Sequence, residues 1–193
     1  MARTKQFDEK DALLRAMKVF WSKGFEATSM TDLLVATGLS KSSLYSTFGN
    51  KRALFLAAFE IYRKERMVML RGYLSSEATA FESIKSFFEM VLMHAQKEER
   101  PFGCMSCNEA VEFGPHDAEI LDLIKRDFQG IEDELFLAIT QGMHDGSIPT
   151  GKDARSLARF FTVAHQGIQV MARSNTESER LTNALEVMLS VLK

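Results

Sequence analysis

Between Thr28 and Leu54 the chain reads TSMTDLLVATGLSKSSLYSTFGNKRAL, and few folds accommodate such a run. Ser29, with Asp32 three residues on, forms a capping-box-like helix start, and Thr28 offers a second capping hydroxyl. Leu33, Leu34 and Ala36 give that helix a short apolar face. Gly38 breaks it, Leu39 tucks under the turn, and Ser40 caps another short helix reaching Phe48. Gly49 and Asn50 then stop the chain before a longer helix opens at Lys51. Two short capped helices across a glycine turn are the pattern of a helix-turn-helix DNA reader.

The second of these helices has the side chains such a reader needs. A helix entering a major groove about 12 Å wide requires small or hydrogen-bonding groups on its leading face. Lys41, Ser42, Ser43, Tyr45, Ser46 and Thr47 meet that need, while Leu44 and Phe48, four apart, anchor the opposite face. Ser40 is accounted for as a cap. Ser42, Ser43 and Thr47 are polar residues inside a short helix, where they lower its intrinsic stability; a contact with something outside the helix explains them better. Tyr45 combines a flat ring with a hydroxyl and suits a phosphate or a thymine methyl. Lys51 stands at a helix start, where its ammonium and the backbone N–H groups both favour a phosphate, and Thr28 and Ser29 occupy the same kind of position one helix earlier.

Charge is distributed in the same sense. The 193-residue chain carries a net charge of −2, but residues 1–52 hold nine Lys/Arg against five Asp/Glu, leaving +4 there and −6 in the remainder. A basic end attracts phosphates and an acidic body repels them. Every window of 18 residues contains charge, and the N-terminus lacks an apolar stretch of the secretory kind, so neither a membrane span nor a signal peptide is expected. Two cysteines, Cys104 and Cys107, fit a reducing compartment better than a disulfide scaffold, and a cytoplasmic location is expected.

The rest of the chain also reads as helix. Leu13, Met17, Phe20 and Trp21 share a face over about residues 8–23, and the helix from Lys51 runs to about Tyr73. Helical spacing returns from Phe81 to Ala95, is interrupted at Pro101-Phe102-Gly103, and resumes briefly from Cys104 to Phe113. Asp117 opens a long helix, residues 142–151 form a Gly- and Pro-containing loop, Asp153 caps the next helix, and a final one covers about 177–192. The expected fold is all-α with about nine helices. Residues 1–52 would form an N-terminal three-helix DNA-binding domain, with a linking helix from 51, and residues 53–193 a helical ligand-binding and dimerisation domain. Gly146 to Lys152 imitates the start of a phosphate-binding loop, but Asp153 stands where a magnesium-binding hydroxyl belongs and no strand precedes it. Paired Glu-x-x-His motifs of carboxylate-metal bundles are absent. Neither an enzyme, nor a cofactor, nor a metal site is expected; a small helical enzyme or metal-binding bundle is the alternative from another class.

Gly24-Phe25, Thr28-Ser29-Met30, Gly38-Leu39-Ser40-Lys41 and Leu44-Tyr45-x-x-Phe48-x-x-Lys51 together resemble the N-terminal signature of TetR/AcrR-type transcriptional regulators. The match covers about residues 8–60, in order and at the family's spacing. The resemblance implies a homodimer, most often a repressor, joined through its last two helices (Leu157 to Leu192) as a four-helix interface. It implies double-stranded, palindromic operator DNA as one partner and an unknown small-molecule effector as another. Two readers in such a dimer must match half-sites about one turn of DNA, ~34–36 Å, or another fixed interval apart. An effector that favours a different reader spacing weakens operator binding by its differential affinity for the two states. Ser43 departs from the family, which often has Gly or Ala there.

The body is rich in Phe (15) and Met (11). Phe87, Met90, Val91, His94, Phe113, Phe128, Phe161 and His165 are the candidates to line an effector cavity, with Met giving an adaptable wall. Ordinary core packing explains most buried Phe and Met, so the two histidines, polar on apolar faces, are the more telling. Cys104 and Cys107 form a C-x-x-C at a helix start, a setting that can activate a thiol; the competing account is two small buried hydrophobes. A structural zinc site would need two more ligands, for which only His94 and His116 lie nearby. Gly103-Cys104 resembles a subgroup of these regulators, some of which sense electrophiles or oxidants through a cysteine there, so a redox- or electrophile-gated regulator on the same fold is the alternative reading.

Overall fold

The computed structural model describes residues 7–97, 102–174 and 177–193. Among the described residues the chain is all-α: nine α-helices, one 3-10 turn and no strand. It forms two compact units, Met1–Glu65 and Arg66–Lys193.

The first unit contains α1 (Glu9–Lys23), α2 (Met30–Thr37), α3 (Lys41–Phe48) and the opening turns of α4 (Lys51–Leu74). Local chemistry sets each boundary. Asp8 accepts hydrogen bonds from the backbone N–H groups of Lys10 and Asp11 to start α1. Ser29 and Asp32 form a reciprocal capping box on α2, and Gly38 ends that helix at φ 69°, a left-handed conformation that costs a residue with a Cβ about 1–2 kcal/mol. Ser40 caps α3 through the N–H of Ser43. Asn50 caps α4 by accepting from the N–H of Ala53. The core is aromatic: Phe55 of α4 meets Phe20 edge-on at 5.2 Å, Phe25 at 5.1 Å, and Phe59 in a stack at 5.7 Å. Leu33, Leu44 and Leu54 complete it, fully buried. The sequence division at residue 52 assigned most of α4 to the body, yet Leu54, Phe55, Ala58 and Phe59 are buried side chains of this unit.

The second unit contains the end of α4, α5 (Ala80–Lys97), α6 (Met105–Phe113), a 3-10 turn (Gly114–His116), α7 (Ala118–Asp145), α8 (Ala154–Arg173) and α9 (Ser178–Ser190). At 28 residues α7 is about 42 Å long and packs against α5, α6 and α8. Ile84, Phe87 and Phe88 of α5, Ile131, Leu135 and Ile139 of α7, Leu157, Phe161 and Ile168 of α8, and Leu181, Leu185 and Met188 of α9 form the core. The loop that imitates a phosphate-binding motif is a helix cap used at a distance. Asp145 accepts from the N–H of Ala80 at 2.9 Å, and Ser147 from that of Phe81 at 3.2 Å, satisfying the start of α5. Asp153 caps α8 by accepting from Arg155 and Ser156. Pro101, the expected interruption after α5, lies outside the described residues.

Candidate nucleic-acid interface and buried polar centre

In the first unit, α3 turns Leu44 inward and leaves Lys41, Ser42, Tyr45 and Ser46 exposed, with Ser43 and Thr47 half-buried. The hydroxyls at its start are organised by one another: Ser40 Oγ lies 3.0 Å from Ser42 Oγ and donates to Ser43 Oγ at 2.9 Å. The hydroxyl of Ser43 therefore belongs to the cap as well as to the leading face. Lys51 places its ammonium 4.4 Å over the Phe25 ring and 3.4 Å from the Glu26 carbonyl oxygen, which holds the charge beside the α1–α2 connection.

Two expected positions are placed otherwise. Thr28 is buried, and its hydroxyl donates to the Gly24 carbonyl at 2.6 Å, closing the turn after α1. Ser29 is exposed, but its hydroxyl is tied to Asp32 at 2.7 Å. Lys23, 2.6 Å from Asp32, and the Ser29 bonds hold that carboxyl well below the usual carboxylate range. The start of α2 thus already carries a fixed anion, neutralised by Lys23, where the sequence suggested open phosphate-binding groups.

The second unit buries a polar centre. Arg66 of α4 is 8% exposed and Asp127 of α7 is 2% exposed. The Arg66 Nη1 donates to Cys104 Sγ at 2.7 Å and lies 3.4 Å from Asp127 Oδ2. Ser106 donates to the same Asp127 oxygen at 2.6 Å. His165 of α8 brings Nδ1 within 3.5 Å of Arg66 Nη2. Burial first, and the Arg66 charge second, push the His165 imidazole well below its ordinary 6.5, so the ring is neutral. Nδ1 facing a guanidinium must accept, which puts the proton on Nε2. The amide of Gln169 lies 3.2 Å from Nε2, an arrangement satisfied when that amide presents its oxygen. Cys107 donates to Gln166 Oε1 of α8 at 3.1 Å. Its thiol is pushed strongly up, by its hydrogen bond with Cys104 and then by burial.

Gly103 explains how α6 reaches this centre. It has φ 66°, and a Cβ there would stand 2.8 Å from the Gln169 carbonyl oxygen, so only glycine lets the chain pass α8 so closely. Further along α6, Glu109 is fully buried and neither carboxylate oxygen has a hydrogen-bond partner among the described residues. Burial, with a smaller push from Glu112 against the pull of Arg173, raises its carboxyl to about 8.

The eight predicted effector residues separate in space. Phe87 and His165 meet with ring centroids 5.4 Å apart, and Phe88 links both to Phe161. Met90 and Val91 are buried core residues, while Phe113 and Phe128 are half-buried. His94 is exposed, with Nδ1 3.1 Å from the Met90 carbonyl oxygen of its own helix, and does not join the cluster. An open groove of about 550 Å³ between α5 and α9, rimmed by Glu82, Lys85, Glu89 and Lys193, contains none of the eight. Sequence reading missed Arg66, Ser106, Asp127, Gln166 and Gln169. Two signals were available: Arg66 falls on the inward row Tyr62, Arg66, Leu70 of α4, and Asp127 on the inward row Ile124, Asp127, Ile131 of α7. A charge on an apolar row needs a buried partner. No group of three or more metal-ligating residues occurs among the described residues, and no described helix is long and apolar enough to cross a membrane.

Comparison with known proteins places both units. Residues 12–58 match the family model for bacterial regulatory proteins of the tetR family, and residues 80–188 match that for the tetracyclin repressor-like C-terminal domain. The chain is 31% identical to the uncharacterized HTH-type transcriptional regulator YezE of Bacillus subtilis, with 100% of both chains covered. It is 32% identical to the HTH-type transcriptional repressor ComR of Escherichia coli, over 93% of this chain and 86% of that one. A cysteine mutant of the TetR family transcriptional regulator CifR, solved with 26-base-pair double-strand operator DNA, superimposes with a TM-score of 0.88 at 27% identity, covering 99% of this chain and 100% of the other. All three are named as transcriptional regulators or repressors. A helix-turn-helix on an aromatic core, followed by an all-helical body with matching domains over both, makes this chain a member of the TetR family of DNA-binding transcriptional regulators.

Proposed function

We propose that this regulator is a cytoplasmic homodimeric repressor that reads a palindromic operator with α3 and leaves it when an effector engages the second unit. The observation that carries the DNA reading is α3 itself: a polar, exposed face mounted on a fully buried Leu44. Lys41, Ser42, Ser43, Tyr45, Thr47 and Lys51 are the contacts. Ser29 contributes its backbone N-terminus rather than a free hydroxyl, and Thr28 supports the turn. Residues 1–52 carry the contacts and residues 53–193 the response.

Dimerisation rests on α8 and α9. Phe160, Val163, Gly167 and Val170 form one exposed row on α8, with Val163 74% exposed, and Val187 of α9 is 67% exposed. Such a row on a soluble helix calls for a partner surface, and a second copy supplies it by two-fold symmetry. Retardation of DNA from upstream of the protein's own gene tests the reading. Wild-type protein binds as a dimer, and Tyr45→Ala with Lys51→Ala binds weakly; a monomer indifferent to that DNA overturns it.

A second reading has its own observation. The guanidinium 2.7 Å from Cys104 Sγ, at the N-terminal cap of α6, is the electropositive setting of a nucleophilic thiol. The structure similar to this chain with bound operator is itself a cysteine mutant. The effector is then thiol-reactive rather than held by non-covalent contacts alone. Labelling of Cys104 with a small alkylating reagent at neutral pH, followed by loss of operator binding, distinguishes the two.

A further inference from the structure

Cys104 and Cys107 each hold a different helix. Cys104 Sγ accepts from Arg66 of α4, and Cys107 Sγ–H donates to Gln166 of α8. The two thiols are also close enough to share a hydrogen bond with each other. They stand at the cap and third position of α6, on the first turn of one rigid helix. From this geometry we infer that the C-x-x-C is a double latch: a disulfide between Cys104 and Cys107 removes both interhelix bonds at once, releasing α4, at Arg66, and α8, at Gln166, from α6. The inference rests on the thiol reading above and specifies how it is transmitted.

The chemistry balances with a peroxide as oxidant. The Cys104 sulfur attacks one peroxide oxygen, an S–O bond forms, the O–O bond breaks, and the leaving hydroxide takes a proton and departs as water. Cys107 then loses its proton as its sulfur displaces the hydroxyl from the Cys104 sulfenic acid, giving the S–S bond and a second water. Two thiols lose two electrons and two protons, and one hydrogen peroxide becomes two waters.

The consequences differ for the two helices. Sulfur in a disulfide is a poor, uncharged acceptor, so Arg66 loses its bond to α6 and keeps Asp127 and His165 as neighbours. The guanidinium is buried and must follow its remaining acceptors on α7 and α8. Arg66 is the first residue of the second unit, on the helix whose opening turns are part of the reader's unit. Gln166 lies one position from Gly167, on the helix with the exposed apolar row. Oxidation therefore acts on the reader's helix and on the dimer's helix from one point. Gly103 helps confine the motion: with the Gln169 carbonyl so close, the start of α6 has no room to move further toward α8.

The test uses full-length reduced protein, operator DNA and hydrogen peroxide. Peptide mass mapping reads the disulfide, and fluorescence anisotropy reads operator affinity. Wild type forms the Cys104–Cys107 disulfide and loses operator affinity about tenfold or more, within the usual range of allosteric coupling. Gln166→Leu, under reducing conditions, already shows part of that loss. Arg66→Lys retains the charge without the planar fork, forms the disulfide more slowly, and binds the operator more weakly before oxidation. Cys107→Ser stops at the sulfenic acid and keeps most of its affinity. Circular dichroism confirms that each variant is folded; should Arg66→Lys fail to fold, Gln166→Leu and Cys107→Ser decide the outcome. A disulfide that forms without changing affinity overturns the latch and leaves the thiols reactive. Thiols that stay reduced under peroxide overturn the thiol reading itself.

Discussion

The reader and the buried centre are built from the same kinds of side chain, set in opposite environments. On α3, Ser42, Tyr45 and Lys41 stand in water, and the structure asks of them only that Leu44 keep its place beneath. In the second unit, Arg66, Asp127, Ser106 and His165 are withdrawn from water and depend on one another across four helices. A solvated polar group can be replaced at little cost to folding and great cost to recognition. A buried one cannot be altered without disturbing its partners, because water is not there to substitute. One region is therefore free to vary with its DNA target, and the other is constrained as a set.

The contrast is broken most directly at Asp127. Asp127→Leu alone leaves Arg66 buried beside an apolar side chain and is expected to cost about 3–5 kcal/mol in chemical denaturation. Adding Arg66→Met should recover most of that loss; a double variant as unstable as the single would show that the pair contributes net stability. Glu109 comes next. Below about 4.5, its ordinary value, it is protonated folded and unfolded alike. Between about 4.5 and 8 the folded chain retains a proton the unfolded chain releases, so its contribution falls as pH rises and levels off above about 8. Glu109→Gln should remove this slope and stabilise the protein at pH 8 by on the order of 3 kcal/mol; thermal melts of both proteins across that range read it. Gly103→Ala meets both a positive φ and the Gln169 carbonyl, and should lower stability by about 2 kcal/mol.

Effects on the reader's stability are smaller, and that sharpens the comparison. Ser40→Ala removes the α3 cap and should cost about 1 kcal/mol. Ser42→Ala and Lys51→Ala should change stability by less than about 0.5 kcal/mol while weakening operator binding. Lys51→Ala should also reduce the steepness of the salt dependence by about one unit, as one lost phosphate contact does. An Asp127 variant as mild as Ser42→Ala, or a Ser42 variant as damaging as Asp127→Leu, would dissolve the distinction between the regions.

The same contrast governs what could be read from the chain. Caps, the glycine turn and the leading face of α3 depend on neighbours three or four residues away, so Ser29, Gly38, Ser40 and Leu44 were legible. The capping of α5 by Asp145 was not, because the two sites are 65 residues apart. Nor was the buried centre: Arg66 meets residues 38, 61 and 99 positions away. Only an ionic side chain on an apolar row hinted at it. Thr28 and His94 show the complementary case. A hydroxyl and an imidazole each have a backbone carbonyl four residues behind within reach, and composition cannot reveal that they took it.

The divided allegiance of α4 sets where this protein can be recombined. A fragment cut at residue 52 would discard Leu54, Phe55, Ala58 and Phe59, and with them the aromatic contacts that hold α1 to the rest of its unit. A transplantable reader must instead keep the helix through Glu65, and a hybrid with another body must be spliced inside a continuous helix, with the grafted turns in phase, so that Arg66 or its replacement still points inward. Exchange between relatives is therefore a matter of helical register rather than of linker length.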